Sequence, residues 1–115
     1  MAYLREEKED VEIDYSLDAI WKAIPKAIEK LHWKIEEKNE TAHKLSVKTK
    51  GAFLSYPSSM KIEVAKVDQK LSRMFISAET PVTTITSMAD IGRTRDRIEK
   101  FIVTLAKLME KSKIS

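Results

Sequence analysis

The chain has 115 residues, 43% hydrophobic and 34% charged, with 21 Lys and Arg against 18 Asp and Glu for a net charge of +3. At that length roughly two-thirds of the unfolded surface can be buried, and the hydrophobic share is too high for compositional disorder, so one folded domain over 1–115 is expected. The absence of cysteine excludes disulfides, thiolate catalysis, iron–sulfur clusters and Cys-based zinc sites.

The segment "EDVEIDY" alternates Val11, Ile13 and Tyr15 against Glu12 and Asp14, the period of a half-buried strand. Ser16 offers an N-cap oxygen and Asp18 a first-turn carboxylate. Leu17, Ile20, Trp21, Ile24, Ile28 and Leu31 then fall on one stripe of a helix running to about residue 31. Pro25 sits inside that helix and removes one backbone hydrogen bond at ~3 kcal/mol. The stripe stays in phase on both sides, which predicts a bend and not a break.

Trp33 and Ile35 of "HWKIEEK" share a face, as do Leu45, Val47 and Thr49 of "KLSVKTK", and a turn over Asn39–Ala42 makes the pair a hairpin. "MKIEVAKV" supplies Met60, Ile62 and Val64, with Val67 out of phase as a bulge or strand end. "SRMFISAE" alternates Met74, Ile76 and Ala78 against Arg73, Phe75 and Ser77. A final helix over about 88–112 is opened by Ser87 and Asp90, an Asp variant of the capping box, and buries Ile91, Ile98, Ile102, Leu105 and Met109. The order β-α-β-β-β-β-α predicts an α+β fold, a five-stranded antiparallel sheet with both helices on one face.

Much familiar chemistry is missing. Gly51 and Gly92 are the only glycines, so neither a P-loop nor a dinucleotide fingerprint can be written. His32 and His43 fall near opposite ends of the hairpin, roughly 20 Å apart at ~3.3 Å per residue, too far to share a metal. No serine lies in a G-x-S-x-G elbow. The expectation is a non-catalytic binding or accessory domain with no cofactor and no metal. The first residues hold no signal-like apolar run, and no stretch approaches the ~20 residues that span a bilayer. No membrane role is expected, and the cytoplasm is the expected location.

Two connections carry residues that a solvated surface does not need. "GAFLSYPSS" places Phe53, Leu54 and Tyr56 in an otherwise polar loop, and "TPVTTITSMADIGRTR" brings threonines, a helix start and arginines together. The candidate ligand-binding residues are Phe53, Tyr56, Thr83, Thr84, Arg93 and Arg95, with a small anion as the candidate ligand because helix-start amides and guanidinium groups both favour one. Against this, Ser87 and Asp90 can satisfy those amides, and Asp96 and Glu99 can pair with the arginines at helical spacing. Arg93, Arg95 and Arg97 also point about 200° apart in succession and cannot all address one ligand.

The alternative is a nucleic-acid partner bound on the helix-free sheet face through Lys34, Lys48, Lys50, Lys61, Arg73 and Phe75. A protein partner, or a homodimer formed through an edge strand in place of a monomer, completes the set.

The order β-α-β4-α resembles the TATA-binding-protein-like fold. The stretches "SLDAIWKAIPKAIEKLHWKIEEKN" and "PVTTITSMADIGRTRDRIEKF" resemble small uncharacterised prokaryotic domains of that topology. The resemblance implies the fold and carries no activity, and DNA bending would need a second copy to complete the saddle.

Overall fold

The computed structural model describes residues 3–51, 56–82 and 92–114. Five strands, β1 (Tyr3–Ile13), β2 (Lys34–Asn39), β3 (Lys44–Lys48), β4 (Ser59–Asp68) and β5 (Leu71–Val82), form one sheet in the order β1-β5-β4-β3-β2. Each neighbouring pair is antiparallel. Helix α1 (Leu17–Lys30) connects β1 to β2, and α2 (Arg93–Ile114) follows β5. The element order, sheet and class agree with the sequence reading.

Strand alternation sorts the residues by face. The register sets Leu45, Ile62 and Ile76 on one rung and Val47, Met60 and Ala78 on the next, all buried. Both helices cover this face. Ile20, Ile24 and Ile28 of α1 and Ile98, Phe101 and Leu105 of α2 join one core with the sheet residues. Burying each such side chain contributes about 1.5–3 kcal/mol. Phe75, between Met74 and Ile76, faces away from the helices and is 39% exposed.

Local signals explain the start of α1 and one departure in register. The Ala19 amide donates to the Ser16 hydroxyl at 3.2 Å, so Ser16 caps α1 as expected. The helix runs unbroken through Pro25, with Ile24, Ala27 and Ile28 buried on either side of it. A register shift between Ile35 and Glu37 pairs Lys38 with Leu45, turning Lys38 toward the helix face. Strict alternation had placed that lysine outward. Lys38 there stands 5.6 Å from the Trp21 ring and 3.0 Å from Glu40, whose carboxylate accepts from the Trp21 indole at 2.7 Å.

Strand β1 extends well before the apolar alternation that marked it. It pairs with β5 from Tyr3↔Val82 to Ile13↔Ser72, although the run from Arg5 to Asp10 is wholly charged. Backbone pairing to a long neighbour overrides side-chain pattern there. The expected Ser87 and Asp90 caps of α2 lie outside the described residues. Among the described residues no helix is long and apolar enough to cross a membrane.

Candidate functional site

One rung of the inward face breaks the apolar pattern. Thr49, Ser58 and Thr80 follow one another across β3, the start of β4 and β5, with Arg5 of β1 opposite Thr80. Thr49, Ser58 and Thr80 are all buried. From α2, Thr94 and Arg97 come down onto the same rung.

Hydrogen bonds join these groups into a chain. Ser58 Oγ and Thr80 Oγ1 share a bond of 2.5 Å, and Thr80 Oγ1 and Thr94 Oγ1 one of 2.7 Å. Arg97 Nη1 donates to Ser58 Oγ at 2.5 Å and to the Tyr56 carbonyl at 3.0 Å, and the Ser58 amide donates to Thr49 Oγ1 at 2.8 Å. A guanidinium only donates, so Ser58 accepts from it and can pass its own proton along the hydroxyl chain. Arg97, only 8% exposed, is thus a nearly buried cation held by the segment that leads into β4.

Arg97 also lines a half-open pocket of about 300 Å³, together with Leu31, Trp33, Lys50, Gly51, Arg93, Asp96 and Lys100. Among the described residues its lining holds four cations and one carboxylate. Leu31 and Trp33, at the end of α1 and just before β2, are half-buried against the core and form the apolar side.

The sequence-predicted residues are dispersed. Arg93 lines this pocket, but Arg95 turns to β1, where it pairs with Glu9, donates to the Lys8 carbonyl at 3.2 Å and lies 3.6 Å from Glu99. The helical angle between successive arginines explains that split. Tyr56 contributes its carbonyl to Arg97 while its side chain is 46% exposed. Phe53, Thr83 and Thr84 lie outside the described residues. Arg97, Ser58, Thr80 and Thr94 were not on the predicted list. Their signal is a polar residue at the inward parity of β4 and β5 where the pattern calls for an aliphatic one.

The helix-free face holds a broader, open trough of about 1100 Å³ whose lining includes Lys61 and Phe75. Its charges are mixed. β1 and β5 bring Glu6, Asp10, Glu12 and Glu79 to the face on which Lys34, Lys44, Lys48 and Lys61 stand. Arg73 donates through Nε and Nη2 to Asp10, both at 2.8 Å, and covers Phe75 at 5.4 Å. The hydrogen bond from Arg73 holds the Asp10 carboxyl below its ordinary value, and Asp10 in turn raises Arg73. Lys44 stands 3.8 Å from Glu63, Lys48 donates to Ser59 Oγ at 3.3 Å, and Lys50 belongs to the other pocket. The size of the trough therefore outweighs its chemistry: no single sign of charge is concentrated there, as a phosphate backbone would require. Among the described residues no group of three or more His, Asp or Glu is arranged to hold a metal ion.

No protein-family model matches the chain, and no curated protein does. Solved structures do. Norcoclaurine synthase from Thalictrum flavum, a point mutant in complex with a transition-state analogue, aligns over 98% of each chain with a TM-score of 0.74 at 13% identity. An aromatase/cyclase from a Streptomyces species covers 95% of each at 0.66 and 8% identity. A conserved protein from Geobacillus kaustophilus covers 94% of this chain and 97% of its own at 0.63 and 10% identity.

The chain has the helix-grip fold. Element order alone had suggested the TATA-binding-protein-like fold, and these neighbours are of the helix-grip kind instead. They also correct the expectation of a non-catalytic domain. That expectation rested on the lack of familiar motifs, and norcoclaurine synthase and the aromatase/cyclase are enzymes built on this fold.

Proposed function

We propose that this chain is a small-molecule-binding domain whose site is the pocket between the end of α1, the end of β3 and the first two turns of α2, and whose ligand is anionic. The observation that carries the reading is Arg97, nearly buried, fixed by Ser58 Oγ and the Tyr56 carbonyl, and lining a pocket with Lys50, Arg93 and Lys100. A volume of about 300 Å³ falls at the lower end of ligand pockets. Norcoclaurine synthase of the same fold has been solved in complex with dopamine and hydroxybenzaldehyde, which supports a small organic molecule as the class of ligand.

The test is thermal shift against a panel of small carboxylates and phosphate esters. A ligand at a hundred times its Kd stabilises by about 2.7 kcal/mol, which for 115 residues raises Tm by roughly 11 °C. The double variant Lys50→Gln, Lys100→Gln removes two exposed cations without entering the core and should abolish most of that rise. Equal shifts in both proteins, or none in either, would refute the site. Following the same mixtures by proton NMR reads any turnover directly.

A further inference from the structure

We propose, resting on that reading of the pocket, that its ligand is an amphipathic anion: one carboxylate or phosphate monoester group carried on a compact flat or branched apolar body. The two sides of the pocket make different demands. Among the described residues the lining sets the exposed Lys50 and Lys100, with Arg93 and Arg97, against one carboxylate, Asp96, so an entering anionic group meets a positive potential where a cation would be repelled. Leu31 and Trp33 offer the opposite surface.

That apolar side has a consequence for the ligand. Both residues rest on the core, so their pocket-facing surface is held in place before anything binds. A purely inorganic anion would satisfy the cations and leave Leu31 and Trp33 in water. An apolar body laid on them gains the burial of both surfaces, and a flat ring adds offset stacking on the indole. The small volume limits that body to about one ring or a short branched chain.

Lys50 and Lys100 are exposed while Arg97 is buried, so charge is arranged from the solvent edge inward. An entering acid group meets the exposed lysines first and the buried guanidinium last. Carboxylate and phosphate esters share this chemistry, and the experiment separates them.

Benzoate, phenyl phosphate, inorganic phosphate and benzyl alcohol are titrated into the isotope-labelled chain, reading the two indole N–H signals by NMR. Trp21 donates its indole to Glu40 on the other side of α1 and serves as the internal control. The expected result is that benzoate or phenyl phosphate moves the Trp33 signal and leaves Trp21 in place, with a Kd at least about tenfold lower than that of inorganic phosphate or benzyl alcohol. Trp33→Leu should weaken the aromatic anions toward the level of inorganic phosphate without changing the fold-dependent amide spectrum.

The failures are distinguishable. Inorganic phosphate binding as tightly as phenyl phosphate, with both lost in Lys50→Gln, Lys100→Gln, would overturn the amphipathic class and keep the anion site. Benzyl alcohol binding as tightly as either aromatic anion would overturn the requirement for charge. No movement of Trp33 with any of the four probes would overturn this proposal and the site together.

Discussion

Thr80→Val tests whether the inward rung is one hydrogen-bonded unit. Valine keeps the branched shape and deletes one hydroxyl, which stands 2.5 Å from Ser58 Oγ and 2.7 Å from Thr94 Oγ1 in a fully buried setting. Each bond contributes a net ~0.5–1.5 kcal/mol, so losing both costs about 1–3 kcal/mol. At roughly 2.1 cal/mol/K per residue the unfolding entropy of 115 residues is about 0.24 kcal/mol/K, and Tm should fall by about 4–12 °C. Calorimetry with a parallel urea titration measures it, and m should not change, because the surface exposed on unfolding is the same. A cycle with Arg97→Met adds the decisive reading. If the chain acts as a unit, the double variant loses less than the sum of the singles by about 0.5–3 kcal/mol. Strict additivity, or a Thr80→Val cost under about 0.5 kcal/mol, would show that the hydroxyls do not support Arg97.

Phe75→Ala and Ile76→Ala are neighbours on opposite faces, 39% and 2% exposed, so the first should stay within about 0.5 kcal/mol of the parent and the second should lose about 2–5 kcal/mol in denaturant unfolding. Phe101→Ala, at a fully buried position between α2 and the sheet, should lose about 3–5 kcal/mol by the same assay. Glu40 is held below the ordinary 4.5, first by the Trp21 indole hydrogen bond and then by Lys38. Its stabilising effect is therefore complete above pH 4.5 and is lost as pH falls through the lower folded value. An NMR titration of Glu40 should show that depressed midpoint, and Trp21→Phe should return it toward the ordinary value.

The faces of the sheet were legible because aliphatic residues recur at every second position of β4 and β5, and a one-residue slip would turn all of them to water. α1 was legible from Ser16 and its stripe. What misled was local and physical. The Ile35/Glu37 bulge reversed the facing of Lys38, which alternation alone cannot reveal. β1 was read too short because Arg5, Glu7 and Glu9 occupy its inward positions, half-buried beneath α2 where charge argues against a strand interior. For the site, the loops drew attention through Phe53 and the threonines, whereas the convergent groups lie in the regular elements or one residue beyond their ends: Thr80 in β5, Thr94 and Arg97 in α2, and Ser58 just before β4. Ser58 and Thr80 meet only through the β4–β5 register, and Arg97 reaches them only because α2 crosses β5, two relations that no single segment contains.

The stability of the fold gives little reason for that rung to be polar. Replacing both partners of a buried hydrogen bond by apolar groups of similar shape is close to neutral, and a guanidinium taken from water to an interior costs several kcal/mol before any partner repays it. Val or Ile at positions 58, 80 and 94 and Leu or Met at 97 would continue the apolar rungs of Met60, Ala78, Ile98 and Phe101 without a break. The chain instead keeps three hydroxyls and a cation there, next to a pocket whose other cations are Lys50, Arg93 and Lys100. Local rules broken without a gain in stability concentrate at sites that bind something. The trough shows no such break in pattern, since its charges are of both signs and stand at the outward positions where alternation expects polar residues.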